Sequence, residues 1–270
     1  MSERSASPVV YEVIALKYAT RGASRTGNFV GGDPLDEVMP LAYYIWVVRN
    51  AERLFLIDTG FDVDMAVKRH RTLLCTPMQG LRLLGIEPHA VDDIVLTHLH
   101  NDHAGTLDAY PNARFHLQDA EMSFATGRHM CCDTNNRAYE PDHVSSLIRL
   151  VYRDRVVFHD GDATLAPGIS VHRIGGHTSG LQVVRVYTAR GWVVLASDAS
   201  HFYEHFQTGR CFPLVFNVGD VFSGYARMRA LADSDAHIVP GHDPAVMDRF
   251  PPVSVECASI AVRLDMTPRF

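Results

Sequence analysis

Apolar positions recur along this chain in two periods. Alternating or short continuous apolar runs predict strands at Tyr11–Tyr18, Ala42–Val48, Arg53–Asp58, Asp93–Thr97, Arg155–Phe158, Ile169–Ile174, Gln182–Thr188, Trp192–Ala196 and Ala236–Val239. The turn Arg49-Asn50-Ala51-Glu52 joins the second and third of these as a hairpin. A helical period appears in Asp142–Tyr152, where Val144, Leu147, Ile148 and Val151 fall at i, i+3, i+4 and i+7, with Asp142 read as the cap after Pro141. Shorter helices are expected at Pro77–Leu84, closed by Gly85, and near Tyr225–Ala232. Between the first strand and the hairpin, Thr20–Pro40 holds four Gly and two Pro and reads as an extended loop. Strands dominate, some in meanders and some separated by helices. That mixture predicts an α/β chain whose two mixed sheets are packed between helices, a four-layer αββα sandwich rather than one parallel sheet. With no repeat and no linker, residues 1–270 are expected to form one domain.

Composition narrows the partners. The chain has 270 residues, 47% of them hydrophobic and 21% charged, as in an ordinary globular protein. Its formal charge of −6 speaks against a nucleic-acid or anionic-membrane partner, either of which wants clustered Lys and Arg. No apolar run approaches the roughly 18 residues that span a bilayer, and Met1–Pro8 lacks the apolar core of a signal sequence. The five cysteines show no metal-finger spacing and read as reduced thiols of a cytoplasmic protein. Histidine, at 15 residues, is unusually frequent.

The histidines concentrate in one motif, His98-x-His100-x-Asp102-His103, directly after the apolar run Asp93–Thr97. Imidazole and carboxylate donors in that density suit Zn²⁺, Mn²⁺ or Fe²⁺. They cannot all converge from a straight strand, whose side chains alternate faces. On a loop leaving the strand end they can, and such a loop could send His98 and His100 to one ion, and Asp102 and His103 to a second. Gly105 is then expected to let the chain turn sharply into the next helix. The alternative is a chance cluster of histidines on a solvated loop.

His-x-His-x-Asp-His after a buried strand resembles the signature of the metallo-β-lactamase superfamily. Further matches follow in order: Gly175-Gly176-His177-Thr178-Ser179-Gly180, then Ala196-Ser197-Asp198, then Val239-Pro240-Gly241-His242, with Leu56-Ile57-Asp58-Thr59-Gly60 upstream. The resemblance runs from about residue 40 to 245. It implies the metallo-β-lactamase fold and two Zn²⁺ per chain, with Mn²⁺, Fe²⁺ or Co²⁺ as substitutes. His98, His100 and His177 would hold one metal; Asp102, His103 and His242 would hold the other. Asp198 would bridge the two and Asp58 would support the site. It also implies hydroxide formed at the metal pair as nucleophile, with Asp102 carrying a proton to the leaving group.

Among branches of the superfamily, the N-acyl homoserine lactonases resemble this chain in length and in the wording His98-Leu99-His100-Asn101-Asp102-His103-Ala104-Gly105. The chain after His242 is too short for the helical domain of glyoxalase II-like thioesterases. Asp198 stands where the two-metal β-lactamases usually have Cys. One departure concerns the position three residues after the bridging Asp, where those lactonases place a Tyr. Here it is His201, with Tyr203 nearby, and His201 is taken as a substituted catalytic donor to the oxyanion. The expected substrate is a small lactone or ester, as in N-acyl homoserine or pyridoxolactonase-like hydrolysis, and a homodimer is open. A mononuclear iron persulfide dioxygenase and a phosphodiesterase of the same fold are the competing readings. Gly127–Tyr139, with the vicinal Cys131-Cys132, falls where a substrate-covering insertion is expected, or else a plain surface loop.

Overall fold

The computed structural model describes residues 9–270, so the reading of Met1–Pro8 lies outside the described residues. The first sheet is built from β1 (Glu12–Arg21), β2 (Leu41–Arg49), β3 (Leu54–Ile57), β4 (Thr72–Leu73), β5 (Asp93–Val95), β6 (Arg114–Gln118), β7 (Val156–His159) and β13 (Ala261–Arg263). Its order is β13-β1-β2-β3-β5-β6-β7, with β4 paired to β1. The second contains β8 (Ala163–Ala166), β9 (Ile169–Arg173), β10 (Gln182–Thr188), β11 (Gly191–Ser197) and β12 (Ile238–Pro240), in the order β12-β11-β10-β9-β8. Both sheets are mixed. β3, β5, β6 and β7 run parallel, as do β11 and β12, while β1–β2–β3 and β8–β11 form antiparallel meanders.

β1 and β2 show why the chain needs four layers. Val13, Ala15, Ala42, Tyr44, Trp46 and Val48 join a core shared with Val171, Val183 and Leu195 of the second sheet. The alternate residues Ile14, Leu16, Tyr43, Ile45 and Val47 pack instead with Leu81 of the Pro77–Leu83 helix and Leu147 and Leu150 of the Pro141–Val151 helix. A strand covered on both faces must be apolar at every position, which accounts for the unbroken run Leu41–Val48. On the far side, Tyr225 and Met228 of the Val218–Leu231 helix cover the second sheet.

Local chemistry sets the boundaries. Asn50 Oδ1 accepts from the amides of Glu52 and Arg53, both at 2.9 Å, and so closes the β2–β3 hairpin. Thr76 and Gln79 form a reciprocal capping box on the Pro77–Leu83 helix. The later helix begins at Val218 rather than Tyr225, because Asn217 caps the amides of Gly219 and Asp220. Asp142 is not the cap of its helix. Glu140 occupies that position with Pro141 in the first turn, and the Glu140 carboxylate binds Lys68 at 2.7 Å instead of capping. Thr20–Pro40 is less extended than expected, since it contains the end of β1 and a short helix at Arg25–Asn28, capped by Ser24. β6, β8 and β13 were not anticipated from the pattern of apolar positions. Among the described residues, no helix is long and apolar enough to cross a membrane.

Candidate metal centre

The site is assembled at strand ends. His98, His100, Asp102 and His103 follow β5; His177 lies between β9 and β10; Asp198 and His201 follow β11; His242 follows β12. Two carboxylates brace these loops. Asp58, just beyond β3, is fully buried and accepts from the Thr97 amide at 2.7 Å, the Thr97 hydroxyl at 2.8 Å and His103 Nδ1 at 2.7 Å. Glu121, also fully buried, accepts from the Leu99 amide at 3.0 Å, the Tyr139 hydroxyl at 2.7 Å, the Thr178 hydroxyl at 2.6 Å and the Gly180 amide at 3.1 Å. It thereby ties the His98–His100 segment to the His177 turn.

Two glycines permit these approaches. A Cβ on Gly180 would lie 2.1 Å from the Glu121 amide nitrogen. A Cβ on Gly105 would lie 2.5 Å from the Gly60 carbonyl, to which the Gly105 amide donates at 2.8 Å. Gly105 is therefore required for close backbone packing, not for a turn into a helix, and only a single 3₁₀ turn, Leu107–Ala109, follows it.

The donor atoms form two groups. His98, His100, His177 and Asp198 present one donor atom each within 4.8 Å of one another, as do Asp102, His103 and His242. Hydrogen bonding fixes which nitrogen faces inward. His177 Nδ1 donates to the Leu214 carbonyl at 2.6 Å, His242 Nδ1 to the Ala42 carbonyl at 2.8 Å, and His103 Nδ1 to Asp58, which leaves each Nε2 as a lone pair. The Thr97 hydroxyl donates to Asp58, so it accepts from His98 Nδ1 at 3.1 Å and leaves His98 Nε2 free as well. His98 Nε2 and His177 Nε2 then converge on His100 Nδ1, at 3.0 and 2.9 Å. One imidazole proton cannot satisfy both contacts. A cation among the three nitrogens can.

Asp198 faces both groups. Its Oδ2 lies 3.1 Å from His177 Nε2 and 3.9 Å from His98 Nε2, and its Oδ1 lies 3.0 Å from His242 Nε2 and 3.4 Å from His103 Nε2. Asp102 Oδ2 is 3.6 Å from His103 Nε2 and 3.8 Å from His242 Nε2. Asp198 Oδ1 and His103 Nε2 are buried without a hydrogen-bond partner, a costly arrangement for polar atoms that a bound cation would relieve. Burial drives His98 and His100 well below the usual imidazole range, and the neighbouring imidazoles push the same way, so both stay in the neutral, ligating form. Burial also opposes charge on His103 and His242. There Asp198 and Asp102 outweigh it and push both up, so this half of the site favours positive charge. Burial works against the Asp198 carboxylate too, yet His242, His103, His201 and His177 hold it well below the usual range. The residues present fit a pair of divalent cations.

His201 lies beside these donors. Its Nε2 lies 3.2 Å from Asp198 Oδ2, and its ring stacks on Phe212 with centroids 3.9 Å apart. Burial pushes this imidazole down to about 3, so it remains neutral. Asp198, His201 and His242 also satisfy the donor geometry of a metal group, so His201 stands where a further ligand could. Tyr203 is not a candidate, because it sits in the core with its amide on Asp243 and the Arg249 guanidinium 3.8 Å from its ring centroid. The tyrosine at the site is Tyr43, which sequence reasoning missed because it lies in an apolar strand. Its ring meets His242 edge-on at 5.1 Å. Burial, with Asp102 adding to it, pushes its phenol up to about 12, so it keeps its proton.

These groups open into a cavity of about 440 Å³. Arg137 and Ala138 line it, so part of Gly127–Tyr139 does form a wall of the site, held by Asn101, whose amide and side chain both donate to the Ala138 carbonyl. Cys131 and Cys132 are exposed, free and outside that wall. The remaining histidines behave as packing or surface groups. His116 bonds Asp93 and His159, His172 meets Asp162, and His205 bonds the Asn28 carbonyl.

Two mixed sheets between helices, with paired His and Asp donors gathered at the strand ends, define a metal-dependent hydrolase fold. The chain belongs to the metallo-beta-lactamase superfamily, whose family model matches residues 38–251. It is 28% identical over 235 residues to the N-acyl homoserine lactonase AttM of Azorhizobium caulinodans, and 24% identical over 235 residues to AttM of Rhizobium johnstonii. Each alignment covers 81% of this chain and 88% of the relative. A solved structure of an N-acyl homoserine lactone hydrolase, with the product N-hexanoyl-L-homoserine bound at its catalytic metal centre, superposes with a TM-score of 0.74 at 21% identity, covering 89% of this chain and 96% of that one.

Proposed function

We propose that this protein is a two-metal lactonase or ester hydrolase, with His98, His100 and His177 holding one cation, Asp102, His103 and His242 the other, and Asp198 between them. The observation that carries the proposal is the partition of donors into two groups that share the two oxygens of Asp198. Divalent cations bound there, zinc being the metal proposed, supply a water of lowered pKa and polarise the carbonyl under attack. The protein's own groups do the rest. Asp102, at the cavity wall, passes a proton to the departing alkoxide. His201, kept neutral by burial, is the proposed donor to the developing oxyanion, and the Tyr43 phenol faces the same cavity as a second donor. Similarity to the N-acyl homoserine lactonases supports ring opening of a lactone as the reaction.

The decisive experiment measures metal content per chain and then follows acid release in a pH-stat with homoserine lactones, γ- and δ-lactones, ring-fused lactones and aryl esters. Two metals per chain and lactone hydrolysis abolished by dipicolinate are expected. Activity that survives removal of the metals would overturn the reading. A mononuclear iron oxygenase would need only the first donor group, so the assembled second group favours hydrolysis.

A further inference from the structure

Four guanidinium groups stand around the cavity that holds the metal site: Arg21 from the end of β1, Arg69 and Arg71 ahead of β4, and Arg137 from the Gly127–Tyr139 segment. The carboxylates lining that cavity are Asp102 and Asp198, both assigned above to the metals. Among the described residues, Arg21, Arg71 and Arg137 have no carboxylate within ion-pair distance. Arg69 has only Glu140, at 3.5 Å, and that carboxylate is already taken by Lys68 at 2.7 Å. Other arginines of this protein are satisfied in one of two ways: Arg25 pairs with Glu204 at 2.7 Å, Arg49 with Glu12 at 2.6 Å and Arg210 with Asp33 at 2.6 Å, while Arg155, Arg185 and Arg190 donate to backbone carbonyls.

The roles within the four differ. Arg69 is spent on structure, donating to the carbonyls of Arg137 and Tyr139. Arg71 donates to the Arg69 carbonyl and lies 5.7 Å from the ring centroid of Tyr43. Arg21 makes no side-chain hydrogen bond among the described residues, and its Nε is buried without a partner. On a chain of net charge −6, crowding cations at one mouth is unfavourable unless something anionic answers them. A guanidinium without a partner matches a carboxylate in both charge and planar geometry. The apolar groups of the cavity are few and short, Leu41, Tyr43, Ala138, Pro213 and Leu214, which suits a compact substrate better than a long fatty chain.

We propose that the substrate of this site carries a carboxylate on the substituent attached to the scissile ester or lactone, bound by Arg21, Arg71 and Arg137. This rests on the hydrolase reading above and narrows it to small carboxylated lactones or esters. The test compares N-succinyl-L-homoserine lactone with its methyl ester and with N-hexanoyl-L-homoserine lactone, three compounds that share one scissile ring. With metal-loaded enzyme, the free acid is expected to exceed its methyl ester by at least about tenfold in kcat/KM, carried mainly by KM. That advantage should shrink as ionic strength rises. In Arg71→Gln and Arg137→Gln the ratio between acid and ester should collapse toward unity. A methyl ester turned over as well as the acid, or a ratio unmoved in both variants, overturns the proposal while leaving the lactonase reading in place. If no lactone is cleaved, calorimetric binding of succinate separates the two readings. Affinity weakened about tenfold in the arginine variants upholds anion recognition without lactonase activity; equal affinity means the metals alone hold the carboxylate, and sinks it.

Discussion

Glu121 offers the sharpest perturbation of this architecture, because one buried carboxylate serves four donors from three segments. Oε1 accepts from the Leu99 amide and the Tyr139 hydroxyl, and Oε2 from the Thr178 hydroxyl and the Gly180 amide. In Glu121→Ala the hydroxyls can turn toward other acceptors, but the two amides are fixed by backbone that is fully buried around them. An orphaned buried amide costs about 1–3 kcal/mol, so the pair alone costs about 2–6 kcal/mol. Removing the carboxylate also releases its own desolvation penalty, which offsets part of this, and a net loss of about 2–4 kcal/mol is expected. Glu121→Gln keeps the shape and one acceptor oxygen but turns an NH₂ toward donors, and about half that loss is expected.

Urea unfolding of metal-free protein measures the folding term without contribution from bound ions. The same residue also bears on the donors. Leu99 lies between His98 and His100, and Gly180 closes the turn of His177, so loss of Glu121 should weaken metal binding by about 10–100-fold, read by competition with a chromophoric chelator. Metal-free Glu121→Ala within about 1 kcal/mol of wild type would refute the hydrogen-bond reasoning. Stability lost with metal affinity intact would show that Glu121 braces the fold without orienting the histidines.

Two other residues test the surroundings of the site. Asp58 holds a left-handed backbone with φ of 61°, which Asn tolerates, so Asp58→Asn should keep the turn while removing the charge and one of the two acceptor oxygens that hold Thr97 and orient His103. A loss of about 10–100-fold in affinity for the second metal is expected on titration, with the first site less affected. His205 is a pH probe one layer behind the site, its ring centroid 6.0 Å from that of His201. It donates Nε2–H to the Asn28 carbonyl at 3.0 Å and accepts the Phe202 amide on Nδ1 at 3.2 Å, so a second proton breaks the latter bond. Burial pushes its imidazole down to about 4, against roughly 6.5 when unfolded. The folded state therefore prefers the neutral form. The stability this contributes is complete above about pH 6.5, is lost as pH falls toward 4, and amounts to a loss of about 2 kcal/mol between pH 7.5 and pH 5. Urea unfolding of wild type and His205→Gln at both pH values isolates it, and an equal pH dependence in the two proteins would contradict the assignment.

The candidate donors are legible in the sequence, as is Asp58 from its motif, while the second brace, Glu121, is not, for a physical reason. Metal ligands must be particular residue types delivered at strand ends, so His98, His100, Asp102, His103, His177, Asp198 and His242 stand out by type and by context. Glu121 belongs to a first helical turn, Asp119-Ala120-Glu121, where acidic residues are common for reasons of helix polarity. Only the fold reveals that it points inward and meets the His177 turn. β13 is three residues long, too short to show a period, and β8 is only one residue longer. Asp142 looked like a cap because the sequence does not show that Glu140 precedes the helix and is engaged with Lys68.

The arginines carry this contrast furthest. Arg21, Arg69, Arg71 and Arg137 are scattered over more than a hundred residues, and none sits in a motif. Net charge pointed the other way, since a chain at −6 is expected to repel anions on average. An average over the surface says little about a concave site, where a few cations without a carboxylate partner among the described residues, together with the two proposed metals, would dominate the local potential. The metal ligands specify which bond is attacked, and they are shared by hydrolases of many substrates. What distinguishes one substrate from another lies in the walls, on residues that the reaction does not constrain. Arg21, Arg71 and Arg137 are of that kind, so they are where the substrate of this chain is proposed to differ from those of the N-acyl homoserine lactonases it resembles.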